Sequence, residues 1–306
     1  MVLERVAFQT SDDVTIRGWF FTPCSSSSTP LPCLVMCHGF SALKEMDLNT
    51  FAEYFTSKLP ISCLVFDHRG FGESDTKEGQ PRYEIIPSQQ TSDISDAITY
   101  AQSRSDVDAD KIGLWGSSYS GGHALWVGAT DKRIKVVLSQ VPCVDGYSNF
   151  QRLIRPDFVA NMNELFQKDR LERASGKPPG MLPVIDANPL NPSALPTPDS
   201  YDFFSTWAKK CDWQNKVTLR SIEALREYYP SAHIHRIAPT PLLMTVAVND
   251  VLSPTDLSLE AFSRALEPKT LQMLPGGHFE AYSGPNFERN AAFQAEFLKS
   301  HLAHTN

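Results

Sequence analysis

No stretch of the sequence approaches the roughly 20 consecutive apolar residues that a bilayer-spanning helix needs, so a membrane-spanning chain is not expected. The opening residues, MVLERVAFQTSDDVTIRGWFFTP, carry Glu4 and Arg5 among the apolar ones and lack the basic head and unbroken apolar core of a secretion signal. The six cysteines, at positions 24, 33, 37, 63, 143 and 211, show no CxxC spacing. Cys33, Cys37 and Cys63 fall in apolar, strand-like runs, which suits reduced core residues of a cytoplasmic protein better than a disulfide framework or a zinc site. There is no Walker loop, no GxGxxG after a strand and no HExxH, so neither a cofactor nor a metal is implied. Positive charge is in deficit, with 28 Lys and Arg against 35 Asp and Glu for a net charge of −7. That balance turns away nucleic acid as a default partner, and an acidic carrier protein too unless a local basic patch compensates. The sequence is silent on oligomeric state.

What is present is an alternation of buried strands and amphipathic helices. Two short alternating strands flank a turn at Ser11 to Asp13. LPCLVMCHGF, ISCLVF, KIGLWG, RIKVVLSQVP, PTPLLMTVAV and KTLQML then read as strands, most of them continuous enough to be buried on both faces. Between them lie helical spacings such as Leu48, Phe51, Ala52, Phe55, Leu59 and Ile94, Ala97, Ile98, Ala101. Strands and helices in this order imply right-handed parallel crossovers, hence an α/β, mostly parallel, doubly wound sheet. The rhythm breaks between about Cys143 and His235. That stretch holds helical pieces near 158–172, 201–211 and 219–229, seven prolines from Pro178 to Pro198, and no convincing buried strand. The expected organisation is a core of residues 1–142 and 236–306 carrying a mainly helical cap at 143–235.

One segment, GSSYSGG at 116–122, follows a strand and opens a helix. A residue at the tip of so sharp a turn is forced into an unfavourable backbone conformation, and its neighbours two positions away must be small. Gly116 and Ser120 meet that demand around Ser118. By itself the segment reads equally well as a small-residue turn, and the rest of the chain decides. A serine hydroxyl needs an imidazole to take its proton, and the imidazole needs a carboxylate to fix its tautomer. Asp250, in VAVNDVLSP, and His278, in LPGGHFEAY, each follow a strand and come in the required chain order after Ser118. Ligands of open α/β sheets bind at that carboxyl-terminal edge. Asp145, after SQVP, is a second candidate for the acid. The backbone N–H groups of Phe40 and Tyr119 are the expected donors to a developing oxyanion. His38 braces the loop that carries Phe40, and His68 and His123 read as structural.

As a set, HGF, DHRGFGES, GSSYSGG, ND and GGH resemble the α/β-hydrolase superfamily over nearly the whole chain. HGFSALKEM, GQPRYEIIPSQQTSD and SQVP further resemble the fungal polyketide transferase and hydrolase group of secondary metabolism. The resemblance implies Ser118 as nucleophile, Asp250 as acid and His278 as base. It also implies hydrolysis or acyl transfer on an ester, thioester or lactone of a lipophilic, polyketide-like small molecule. The same groups would serve a condensation or cyclisation without an acyl-enzyme, with His278 as base. A protein that only binds its ligand would be expected to have lost one of the three residues. Phe158, Phe203, Trp207 and Phe279 are candidate substrate contacts, because the insertion's many rings suit the apolar wall of a pocket for a bulky ligand.

Overall fold

The computed structural model describes residues 1–24 and 29–303. In chain order, β1 (Val2–Gln9) and β2 (Thr15–Thr22) form the opening hairpin, followed by β3 (Leu31–Cys37), α1 (Leu48–Lys58), β4 (Ser62–Phe66), α2 (Pro87–Ser103), β5 (Val107–Ser117), α3 (Tyr119–Thr130) and β6 (Ile134–Gln140). The insertion contributes α4 (Gly146–Leu153), α5 (Val159–Ala174), β7 (Met181–Leu182), α6 (Pro198–Trp207), β8 (Val217–Thr218) and α7 (Leu219–Glu227). β9 (Leu242–Ala247), α8 (Thr255–Arg264), β10 (Lys269–Leu274) and α9 (Gly284–His301) return the chain to the core.

The main sheet has the order β1-β2-β4-β3-β5-β6-β9-β10. β2 runs antiparallel to β1 and β4, and every pairing from β4 to β10 is parallel. Burial follows this placement. β3 and β4 lie inside the sheet and tolerate only apolar or small residues on both faces, whereas β1 is an edge and leaves Val2 and Leu3 exposed. One face packs on α2, α3 and α8 through Ile94, Ile98, Leu125 and Ala261, the other on α1 and α9 through Phe51, Phe55, Ala291 and Leu298. The strand order reverses beside β3: β4 lies on one side of it and β5 on the other. The carboxyl ends of β3 and β5 therefore diverge into a crevice. Among the described residues no helix is long and apolar enough to cross a membrane.

The insertion departs from the expectation in two respects. A short antiparallel ladder joins β7 to β8, and α4 forms where no helix was anticipated, its N-terminus capped by the Asp145 side chain on the Ser148 N–H. The proline-rich segment lies against the body rather than linking domains. The Asn215 side chain accepts from the Val184 and Ile185 N–H groups, and Leu182, Val184 and Ile185 are buried. The two ends of the insertion meet, the Gly146 N–H donating to Tyr228 O at 2.8 Å and the Ser231 N–H to Val144 O at 3.2 Å.

Two buried charge clusters fix the loops around the crevice. Lys44, 0% exposed, donates from Nζ to Asp67 at 2.6 Å and Glu73 at 2.8 Å and lies over the Trp19 ring. Asp67 also accepts from the backbone N–H groups of Lys44 and Glu73. Burial pulls the Lys44 ammonium down, and Asp67 with its neighbouring carboxylates more than offsets this, so its pKa rises to about 12. Removing Asp67 would take away the one fully buried carboxylate that faces this ammonium among the described residues and leave it with the partly exposed Glu45 and Glu73. Asp67→Ala is expected to cost about 3–5 kcal/mol in urea unfolding. A loss under about 1 kcal/mol would show that the ammonium does not depend on Asp67. Arg69 is held in the same manner between Asp93 and Asp12.

Candidate active site

Ser118 occupies the turn between β5 and α3 with φ 58° and ψ −119°, a backbone state that costs a non-glycine residue on the order of 1–3 kcal/mol. The surrounding bonds hold it there. The Ser118 N–H donates to Gln140 O at 2.8 Å, and its carbonyl accepts from the Cys143 N–H at 3.0 Å. A side chain at position 116 would run into the Ser120 carbonyl, and one at position 39 would meet the Ser118 Cβ at 2.8 Å. Glycine at both positions lets the turn close and lets the loop after β3 approach the serine.

The three serines of the turn have different partners. Ser117 is buried and bonded to Tyr282 and Gln140. Ser120 Oγ lies 2.9 Å from His68 Nε2. Only the Ser118 hydroxyl faces the third histidine-bearing loop, with Oγ 2.9 Å from His278 Nε2. His278 Nδ1 lies 2.8 Å from Asp250 Oδ2, and Asp250 Oδ1 accepts from the Leu252 and Ser253 N–H groups at 3.0 and 2.7 Å. A carboxylate so bound accepts a hydrogen bond from Nδ1–H, which assigns the tautomer and leaves the Nε2 lone pair for the serine. Asp145 does not take part. Its oxygens are occupied by the Ser148 N–H and hydroxyl.

Phe40 lies in the loop after β3, and Tyr119 is the first residue of α3. Among the described residues neither backbone N–H donates to another protein group. His38 secures the first of these loops. Its Nδ1–H donates to Gly39 O at 3.0 Å, and its Nε2 accepts from the His68 N–H at 3.1 Å. His38, His68 and His123 form an edge-to-face series, with ring centres 4.6 and 5.9 Å apart. Burial drives their pKa values down, to about 4 for His38 and about 3 for His123 and well below the usual value for His68, so they stay neutral structural groups at neutral pH. His233 packs on Trp126 and His301 on Phe297, both away from the crevice, and His304 lies outside the described residues.

Ser118 stands where two narrow arms of one cleft meet, and both arms share Phe40, Leu195 and Leu252. The arm under the insertion is lined by Phe150, Met162, Leu182, Ile222 and Leu225 among others. The other runs past His278 between Met46, Leu48, Phe204 and Tyr282. Phe203 and Phe279, stacked with ring centres 4.5 Å apart, wall this second arm. Phe158 and Trp207 line neither arm. Phe158 sits beneath the Arg155 guanidinium, and Trp207 borders an outer groove with Lys210 over its ring. The residues that do wall the first arm are mostly aliphatic ones scattered over six separate segments, and no spacing in the sequence marks them. Among the described residues no three His, Cys, Asp or Glu side chains are grouped to hold a metal ion.

The chain is 34% identical over 291 residues to the quorum-quenching protein AidA of Acinetobacter baumannii, covering 94% of this chain and 92% of that protein. It is 31% identical over 302 residues to a thiohydrolase of Eupenicillium brefeldianum, covering 97% and 94%. Among solved structures, that of the alpha/beta hydrolase GrgF from Penicillium sp. sh18 superposes with a TM-score of 0.85 at 30% identity, covering 99% of this chain and 100% of that one. A family model described as X-Pro dipeptidyl-peptidase (S15 family) matches residues 12–280, and with these relatives it establishes that the chain belongs to this family of the α/β-hydrolase fold.

Proposed function

We propose that the protein is a serine hydrolase or acyltransferase acting on an ester, thioester or lactone of a lipophilic metabolite. The observation that carries this reading is the unbroken line from Ser118 Oγ through His278 to Asp250 at the meeting point of two apolar arms. As His278 Nε2 takes its proton, Ser118 Oγ forms a bond to the acyl carbon, and the oxyanion forms against the N–H groups of Phe40 and Tyr119. The leaving alcohol or thiol departs with the proton from His278. Water, or an alcohol in a transfer reaction, then gives its proton to the same nitrogen and attacks the acyl-enzyme; the bond to Ser118 Oγ breaks, the product leaves, and the proton returns from His278 to the serine. Asp250 stabilises the imidazolium in both halves.

Thioester chemistry draws support from the thiohydrolases among the relatives and from GrgF, a polyketide transferase in its sequence description. The family's peptidase name suits this chain less well, since neither arm is lined by a carboxylate that would pair with the N-terminal ammonium of a peptide. Residues 143–235 act as the cap in this reading, closing the first arm with Phe150, Met162, Ile222 and Leu225.

The test is a series of acyl thioesters from acetyl to decanoyl, with products identified by mass. Each buried methylene contributes about 0.8 kcal/mol, so kcat/KM for octanoyl is expected to exceed that for acetyl by about tenfold or more. Equal constants for the two would remove the cleft as the acyl-binding site.

A further inference from the structure

The two arms differ in their polar groups. In the arm beside His278 the polar side chains are already engaged: His38 holds the loop, Tyr282 is bonded to Ser117, and Ser118 and His278 are bonded to each other. The remaining walls are hydrocarbon. The arm under the insertion is lined by no charged side chain among the described residues, but Asn149, Ser253, Tyr119 and Ser193 all border it, and of these polar groups Tyr119 Oη and Ser193 Oγ are the ones buried with no hydrogen-bond partner among the described residues. Tyr119 is 3% exposed and Ser193 4%. They come from opposite sides, Tyr119 from the start of α3 in the body and Ser193 from the proline-rich segment of the insertion.

Buried hydroxyls are ordinarily paired, because leaving one without a partner forfeits its hydration. Two such groups in the wall of one apolar arm beside a nucleophile are what a site for an oxygen-bearing ligand contains. With no cation or carboxylate lining the arm, the matching group is neutral, and a hydroxyl can donate to a ketone or exchange bonds with another hydroxyl. We propose that Tyr119 and Ser193 determine specificity by hydrogen-bonding a hydroxyl or keto oxygen in the part of the substrate that occupies the arm under the insertion. The part in the other arm is plain hydrocarbon. The preferred substrate is thus an acyl compound oxygenated on one side of its scissile carbonyl. This rests on the reading of Ser118 as nucleophile given above.

The selectivity follows from what the wrong substrate leaves behind. A deoxy analogue fills the arm and strands both hydroxyls, and sites built to bond a substrate oxygen reject the analogue lacking it far more strongly than apolar sites reject a missing methylene. The experiment compares matched N-acetylcysteamine thioesters of decanoic acid with its 3-, 5- and 7-hydroxy and 3-oxo forms. They are run on the wild type, Tyr119→Phe, Ser193→Ala and the double variant. Tyr119→Phe keeps the ring and the backbone N–H. The wild type is expected to favour at least one oxygenated member by about tenfold or more in kcat/KM, with that ratio shrinking severalfold in each single variant and approaching one in the double variant. A wild type without such a preference, or a preference that survives in the double variant, would overturn the proposal. Labelling of Ser118 by a fluorophosphonate, measured on the same four proteins, reads the nucleophile separately. Full labelling with no oxygen preference refutes the specificity site alone, whereas absence of labelling in the wild type refutes the reading it rests on.

Discussion

Ser118→Ala is expected to lower kcat on a decanoyl thioester by on the order of 10⁴- to 10⁶-fold while leaving the fold intact. The magnitude follows from the arrangement. Serine is the group that forms the new bond, and without it His278 and the Phe40 and Tyr119 N–H groups can only assist an untethered water. The fold should survive because the contacts that hold the turn are backbone ones, from the Ser118 N–H to Gln140 and from the Cys143 N–H to the Ser118 carbonyl, and alanine retains both. Thermal melting and single-turnover rates measure the two halves of the claim. Ser117→Ala and Ser120→Ala do not share this consequence in kind. They release the bonds to Tyr282 and His68, so their losses should accompany lower stability. A well-folded Ser118→Ala protein retaining more than about a tenth of the rate would remove Ser118 from the chemistry.

Asp250→Asn is expected to be the second most damaging change, lowering kcat by about 10⁴-fold. An amide in this position still accepts from the Leu252 and Ser253 N–H groups through its oxygen, and that directs its NH₂ towards His278. Nδ1 must then accept rather than donate, the ring carries its proton on Nε2, and the serine faces a donor where it needs a base. The imidazolium also loses its counter-charge. Asp145→Asn changes a helix cap instead, and an asparagine caps nearly as well as an aspartate, so activity should stay within about twofold of the wild type. The opposite ranking of the two variants would transfer the role of acid to Asp145.

The alternation of strand and helix, and the position of Ser118, Asp250 and His278 at strand ends, were legible in the sequence because each rests on a local rule. Buried parallel strands demand continuous apolar residues, and a strand-to-helix turn of this kind demands small neighbours for the residue at its tip. Asp250 was the preferred acid, but what Asp145 does instead was not legible, since both follow strands. It depends on α4 forming at Gly146 and using Asp145 as its cap, a helix too short to declare itself by periodicity. The cleft walls were legible in part. Phe203 and Phe279 were chosen on the same ground as Phe158 and Trp207 and lie in the wall of the arm beside His278. Phe158 and Trp207 were selected on ring content alone, which carries no direction, and in the fold each lies near a cation away from Ser118. Leu195 and Leu252, which both arms share, gave no signal in the sequence. The buried pairs of Lys44 with Asp67 and Arg69 with Asp93 stayed hidden for another reason. Charges in loops read as solvated surface unless their partners are known, and these partners are 23 and 24 residues away.

The central claim is that the acyl group passes through Ser118 Oγ. Rapid mixing of the protein with a decanoyl thioester, acid quenching during the first turnover and mass analysis of the digested chain tests it directly. The account predicts one decanoyl group on the peptide carrying Ser118, lost on longer incubation and absent from Ser118→Ala. Turnover of the same thioester with that peptide unmodified at every quench time, and with Ser118→Ala still active, would contradict it.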